Sequence, residues 1–112
     1  MSRPWNGNYT LDTLAFLIRA NGSAHGFKVV VGTDWEDDYK IPAHLALLHS
    51  EVSEALEDFR NDARGHFLEE LADVQIRLLD LAGGLTTNFS DIVRIKMAKN
   101  EERPYKHGGK RI

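Results

Sequence analysis

Between Pro42 and Arg60 the apolar residues Leu45, Leu48, Val52, Leu56 and Phe59 recur at steps of three and four. Only a helix, with about 3.6 residues per turn, gathers positions so spaced on one side. The stretch therefore predicts a helix ending near Arg60, with Pro42 in the first turn, where a missing N–H costs no hydrogen bond. The same period in Leu11, Leu14, Ala15 and Ile18 predicts an earlier helix from Leu11 to Asn21, with Gly22 as its stop. A polar break from Asn61 to Gly65 precedes a third helix, expected from His66 to Ala82 and stopped by Gly83 and Gly84.

The apolar residues of that third helix spread round more than one face. Ile76 lies away from the side formed by Leu71, Val74 and Leu78, which predicts contact with a second protein surface. A fourth helix is predicted from Ser90, as N-cap, to about Asn100, with Asp91 in the favourable first turn and Pro104 beyond its end. Residues 22–41 contain a strand-like run, Phe27 to Val31, but a lone strand has no partner, so this segment is expected to be irregular. The fold class that follows is all-α: a helical bundle of about four helices per protomer. It forms a single domain over residues 1–112, of which 101–112 are a basic C-terminal segment. A chain of 112 residues buries only a modest core, so assembly through its helices into a homodimer or homotetramer is expected.

The absence of cysteine excludes disulfides, thiolate metal sites and a thiol nucleophile. No apolar run approaches the roughly 18 residues of a membrane span, and the N-terminal residues lack the apolar core of a signal peptide, so a cytoplasmic protein without membrane contact is expected. The net charge of −3 is unevenly distributed. Residues 1–93 hold seven Lys/Arg against fifteen Asp/Glu, a balance of −8, whereas residues 94–112 hold seven against two, a balance of +5. Such a chain can bind nucleic acid, pair with itself, or hold a metal–polyphosphate between the two signs. The acidic body would repel a long polyanion, and nucleic acid is not the expected partner.

Glu51 and Glu54 are three residues apart, roughly 60° round the second helix, at the edge of its apolar stripe, and Asp58 continues the row. Glu70 and Asp73 repeat the device on the third helix. If the two helices pack antiparallel, the four carboxylates can converge, and a hard divalent cation such as Mg²⁺ is the natural compensation for their repulsion. The ordinary alternative is a solvated helix face, which is what acidic residues at this spacing usually make. A di-iron bundle would need Glu-x-x-His motifs, and the chain has none.

At the basic end Lys96 and Asn100 share a helix face that Arg103 can extend, followed by Pro-Tyr-Lys-His-Gly-Gly-Lys-Arg with its phosphate-sized cations and permissive glycines. The alternative is a solubilising tail. Of the remaining candidates, Trp5 reads as core or interface, while Trp35 is open between that and base stacking. His44 and His49 read as surface or packing residues, and Arg77 as an ion-pair partner that orients Asp73 one turn before it.

Three segments together resemble the MazG-like family of all-α nucleoside triphosphate pyrophosphohydrolases. They are Leu48-His-Ser-Glu-Val-Ser-Glu-Ala-Leu-Glu57, Glu69-Glu-Leu-Ala-Asp-Val-Gln-Ile-Arg77, and Lys96-Met-Ala-Lys-Asn-Glu-Glu-Arg-Pro-Tyr-Lys-His-Gly-Gly-Lys110. The resemblance covers Ile41 to the C-terminus, about two-thirds of the chain. It implies a helical protomer that forms a dimer or a tetramer and a Mg²⁺ ion, replaceable by Mn²⁺, at Glu51, Glu54, Glu70 and Asp73. The implied reaction is cleavage between the α- and β-phosphates of a nucleotide to a monophosphate and pyrophosphate. Lys96, Asn100, Arg103, Tyr105 and Lys110 are the implied nucleotide contacts. The chain departs from many members in carrying Ser50 where they place a second Glu before the first ligand. Two other readings stand beside this one: a phosphoribosyl-ATP pyrophosphohydrolase, and a non-catalytic helical interaction module.

Overall fold

The computed structural model describes residues 9–27 and 29–103, and these contain four α-helices and no strand. The helices are α1 (Leu11–Ala24), α2 (Lys40–Arg60), α3 (Arg64–Leu85) and α4 (Phe89–Glu101), with a short 3-10 turn over Gly32–Glu36. The all-α expectation holds for the described residues; of residues 22–41, expected to be irregular, 22–24 belong to α1, 32–36 form the 3-10 turn and 40–41 open α2.

Thr10 opens α1 by accepting from the Thr13 backbone N–H at 3.2 Å. Gly22 does not end this helix, as the sequence spacing suggests. It lies inside α1, facing the Val29 side chain, and the stop comes at Gly26, whose φ of 83° suits a residue without Cβ. Phe27 N–H then returns to Gly22 O and Gly26 N–H to Ser23 O, the Schellman pair of hydrogen bonds.

Pro42 lies in the first turn of α2, as expected, and Asp37 ties down the start of the helix. One oxygen of Asp37 accepts from the backbone N–H groups of Tyr39 and Lys40, both at 2.8 Å. Those two bonds hold its carboxyl below the usual carboxylate range. Asp34 ties the 3-10 turn to the same helix, accepting from Val31 N–H at 2.7 Å and pairing with Lys40 at 3.0 Å. The link from α2 to α3 is short because Asp62 takes a left-handed φ of 53°, a conformation Asp tolerates better than most residues. Phe59 meets Phe67 across this turn with ring centroids 6.2 Å apart, so α2 and α3 run antiparallel.

The third helix continues through Gly83 and Gly84, contrary to the expected stop. A Cβ on Gly83 would lie 3.0 Å from Ala15 Cβ, and one on Gly84 would strike the carbonyl of Val30 and the Arg19 guanidinium. The two glycines are thus the site where α1 and the Val30 segment approach α3, and close approach rather than termination explains them. Arg19 fastens the junction, donating from Nη1 to Val30 O at 2.6 Å and to Asp80 O at 3.3 Å. Ser90 is not the cap of α4; Asn88 holds the N-cap position. The Ser90 N–H instead donates to Asp12 of α1 at 3.0 Å, so the start of α4 is capped from another helix.

α1 and α2 both pack on α3 and leave a cleft between them, while α4 packs chiefly on α1. The core is small: Ala15, Val30, Ala55, Leu79 and Leu81 are buried, Val30 and Leu79 completely. On α3 the buried residues are Leu79 and Leu81: Leu81 continues the row of Leu71, Val74 and Leu78, in which Val74 and Leu78 are half-buried and Leu71 is exposed, while Leu79 lies on another side of the helix. On α2 the regular stripe that predicts the helix is not the face it buries. Leu45, Val52 and Leu56 are each about half exposed and Phe59 is 69% exposed, while Ala55 is the buried contact. None of the described helices is long and apolar enough to cross a membrane.

Candidate metal centre

Antiparallel packing of α2 on α3 brings Glu51, Glu70 and Asp73 together, each offering a carboxylate oxygen, with these atoms within 4.8 Å of one another. Glu51 and Glu70 are half-buried and Asp73 is exposed. Glu54 stands one turn along α2, exposed at the rim and outside this group, yet near enough that its charge acts on Glu70. Three of the four expected ligands are thus assembled and the fourth stands beside them.

Arg77 supplies the polarity of the site. Its Nε donates to Glu51 Oε1 at 2.9 Å, which corrects its expected pairing with Asp73. Asp73 and Arg77 share one side of α3, but Glu51 comes across from α2 and takes the guanidinium. The Arg77 hydrogen bond, followed by contacts from Glu70 and Glu54, holds the Glu51 carboxyl below the usual range. Glu70 shifts the other way, pushed up to about 7 first by its hydrogen-bonded contact with Glu51, then by desolvation and the neighbouring carboxylates. With no ion bound, a proton on Glu70 is donated to ionised Glu51.

The donor set fits a hard divalent cation. Glu70 Oε2 is shielded from solvent and accepts no hydrogen bond from the described residues, leaving a lone-pair site with nothing to fill it but a proton or a cation. Glu51, Glu70 and Asp73, with oxygens all within 4.8 Å of one another, are the residues that would hold such a cation. Arg77 binds only one Glu51 oxygen, leaving the other for an ion.

The cluster opens onto the cleft between α1 and α2, a cavity of about 820 Å³ whose walls include Leu14, Ile18, Leu47 and Ile76 beside Glu51, Asp73 and Arg77. Ile76, expected to face a second protein, lines this cleft while remaining partly exposed. His44 also lines it, which its reading as a surface or packing residue missed; the signal was its seven-residue separation from Glu51, two helical turns on one face. Trp35 is exposed and lies in a separate apolar groove with Leu81, Phe89 and Ile92.

Lys96, Asn100 and Arg103 are exposed on or just beyond α4. Among the described residues no side-chain hydrogen bond or ion pair links them to the acidic cluster. Tyr105, Lys110 and Trp5 lie outside the described residues. Compared with family models, curated proteins and solved structures, the chain matches none.

Proposed function

We propose that this chain is a Mg²⁺-dependent nucleotide pyrophosphohydrolase that cleaves a nucleoside triphosphate between the α- and β-phosphates. The observation that carries the reading is the convergence of Glu51, Glu70 and Asp73 at the mouth of a largely apolar cleft. An acidic cluster alone suits any divalent cation. Beside an apolar cavity it suits a ligand with a charged end and a flat apolar end, which describes a nucleotide.

In this reading Glu51, Glu70 and Asp73 hold the cation, with Mn²⁺ as substitute. Held there, a divalent cation would supply charge neutralisation for the phosphates and acidify a water. Arg77 keeps Glu51 ionised and fixes its direction. Glu54, outside the trio but one turn from Glu51, accepts the proton of the attacking water. Lys96, Asn100, Arg103, Tyr105 and Lys110 contact the nucleotide from the basic end of the chain, with Lys96, Arg103 and Lys110 neutralising charge on the departing pyrophosphate and Asn100 and Tyr105 donating hydrogen bonds.

The active form is a homodimer or homotetramer in which the outward stripe of α2, with Val52, Leu56 and Phe59, is covered by another protomer. Support comes from the exposure of that stripe, an apolar face of regular period that the protomer leaves in water.

The test is incubation of purified protein with each deoxynucleoside triphosphate and Mg²⁺, with products resolved chromatographically. Monophosphate plus pyrophosphate is expected. Inert nucleotides, or diphosphate plus orthophosphate, overturn the proposal. Glu51→Gln should abolish turnover while preserving the helical circular dichroism spectrum.

A further inference from the structure

The cleft has a second polar end, away from the carboxylate cluster. Seven residues before Glu51 on α2 stands His44, and seven after Asp73 on α3 stands Asp80, and all four line the same cavity. Seven residues are two turns, so each pair shares a helix face at a separation of about 10.5 Å. Because α2 and α3 are antiparallel, the step that leads from Glu51 to His44 leads in the same direction as the step from Asp73 to Asp80. His44 therefore stands at the level of Asp80 as Glu51 stands at the level of Asp73. Between the two levels the lining holds the apolar Leu47 and Ile76 together with the polar Gln75 and Arg77.

Asp80 is a costly residue to place there without a purpose. Its neighbour Arg19 spends Nη1 on two backbone carbonyls, Val30 O and Asp80 O, and comes no nearer than 3.8 Å to the Asp80 carboxylate. Asp80 Oδ1 is shielded from solvent and accepts no hydrogen bond from the described residues. The charge has a counter-ion, but Oδ1 lacks a donor, and the side chain, 22% exposed, lines the cleft. His44 makes no side-chain hydrogen bond within the described residues either, and its ring can supply an N–H.

We propose that Asp80 and His44 read the base of the bound nucleotide, with Asp80 accepting from an exocyclic amino group and His44 donating to the adjacent ring nitrogen. This rests on the nucleotide reading of the cleft given above. The pattern selects cytosine or adenine, which present an amino group beside an unprotonated ring nitrogen. It rejects uracil and thymine, which turn a carbonyl toward Asp80 and an N–H toward His44. About 10.5 Å between the two polar levels suits a ligand whose phosphate lies at one level and whose base edge lies at the other. Leu47 and Ile76 between them take the faces of the ring.

Binding rather than turnover tests this, so that it is separable from the catalytic proposal. Non-hydrolysable dCTP and dUTP analogues with an imido bridge between the α- and β-phosphates are titrated calorimetrically into the full chain with Mg²⁺. The wild type is expected to favour the cytosine analogue by about tenfold or more. In Asp80→Asn, whose amide can donate to a carbonyl, that preference falls or reverses. In His44→Ala it shrinks without disturbing the Arg19 junction, which guards against a folding defect in the first variant. Equal binding of both analogues by the wild type overturns the base assignment while leaving pyrophosphohydrolysis standing. A uniform loss for both analogues in Asp80→Asn, with the wild-type ratio kept in His44→Ala, also overturns it, because that is the signature of a structural role. Selective binding without any turnover supports this inference and removes the catalytic one; no binding of either analogue overturns both.

Discussion

Arg77 Nε donates to Glu51 Oε1 at 2.9 Å, joining α3 to α2 at the mouth of the cleft. The bond gives Glu51 and Glu70, two carboxyl groups in contact, opposite character. Glu51 is held ionised, while Glu70 keeps a proton up to about 7.

Arg77→Met removes that bond and retains much of the side-chain packing. The Arg77 side chain is 41% exposed, so solvent screens the pair, and a loss of about 1 kcal/mol in cation-free folding stability is expected. Urea denaturation in chelator measures it. An unchanged midpoint would show that the pair contributes nothing to the fold.

Glu70 sets the pH dependence. Its folded pKa is raised above the ordinary value of 4.5 to about 7, so the stabilisation belongs to the protonated form. That contribution is complete below about 4.5 and is lost as pH rises through about 7. In the cation-free protein Glu70→Gln should flatten stability between these limits, as read by thermal unfolding across pH. If the cluster takes a cation as proposed, binding displaces the same proton. Apparent Mg²⁺ affinity is therefore expected to rise about tenfold per pH unit below 7 and to level off above it. Calorimetry in buffers of different ionisation enthalpy should count about one proton released near pH 6, and no release would contradict the assignment.

Glycine positions inside one helix are expected to respond with different signs. At Gly84 an added methyl meets the Val30 carbonyl and the Arg19 guanidinium, so Gly84→Ala should cost about 1–3 kcal/mol despite the better helix propensity of alanine. At Gly65, also in α3, nothing lies within 4 Å of the new Cβ, and Gly65→Ala should gain up to about 1 kcal/mol. Gly83→Ala falls between, since the nearest atoms are side chains of Ala15 and Arg19 at 3.0 and 3.1 Å. Denaturation midpoints of the three variants give the ordering.

The α2 stripe makes a prediction about assembly. Leu56 is 51% exposed in the protomer, so Leu56→Glu costs the isolated fold little. If the stripe joins protomers, the wild type sediments as a dimer or tetramer and Leu56→Glu as a monomer. A wild-type monomer would remove the assembly proposal.

The helical period of Leu45, Leu48, Val52, Leu56 and Phe59, and the carboxylate spacings of Glu51 and Glu54 and of Glu70 and Asp73, were set by local geometry and legible in the sequence. Four helices and the pairing of acids on two of them followed directly. Period alone does not say which side of a helix meets its own protomer, and in the conspicuous stripe of α2 Leu45, Val52, Leu56 and Phe59 proved to be exposed and Leu48 half-buried, while Ala55 was buried. Nor does a glycine announce its reason for being there. Gly22, Gly83 and Gly84 look like helix stops, yet among the described glycines only Gly26 adopts a positive φ, and the other three lie within helices, Gly83 and Gly84 where another segment passes close.

The sequence by itself determined which residues could share a helix face, because that depends on a fixed rotation per residue. Only the tertiary structure decided that Arg77 turns to Glu51 rather than Asp73, and that Glu54 stands outside the trio. It also placed His44 and Asp80 at one level of a common cleft. Those outcomes depend on the relative register of α1, α2 and α3, which is set by the sum of many weak packing contacts and is written in no short stretch of chain.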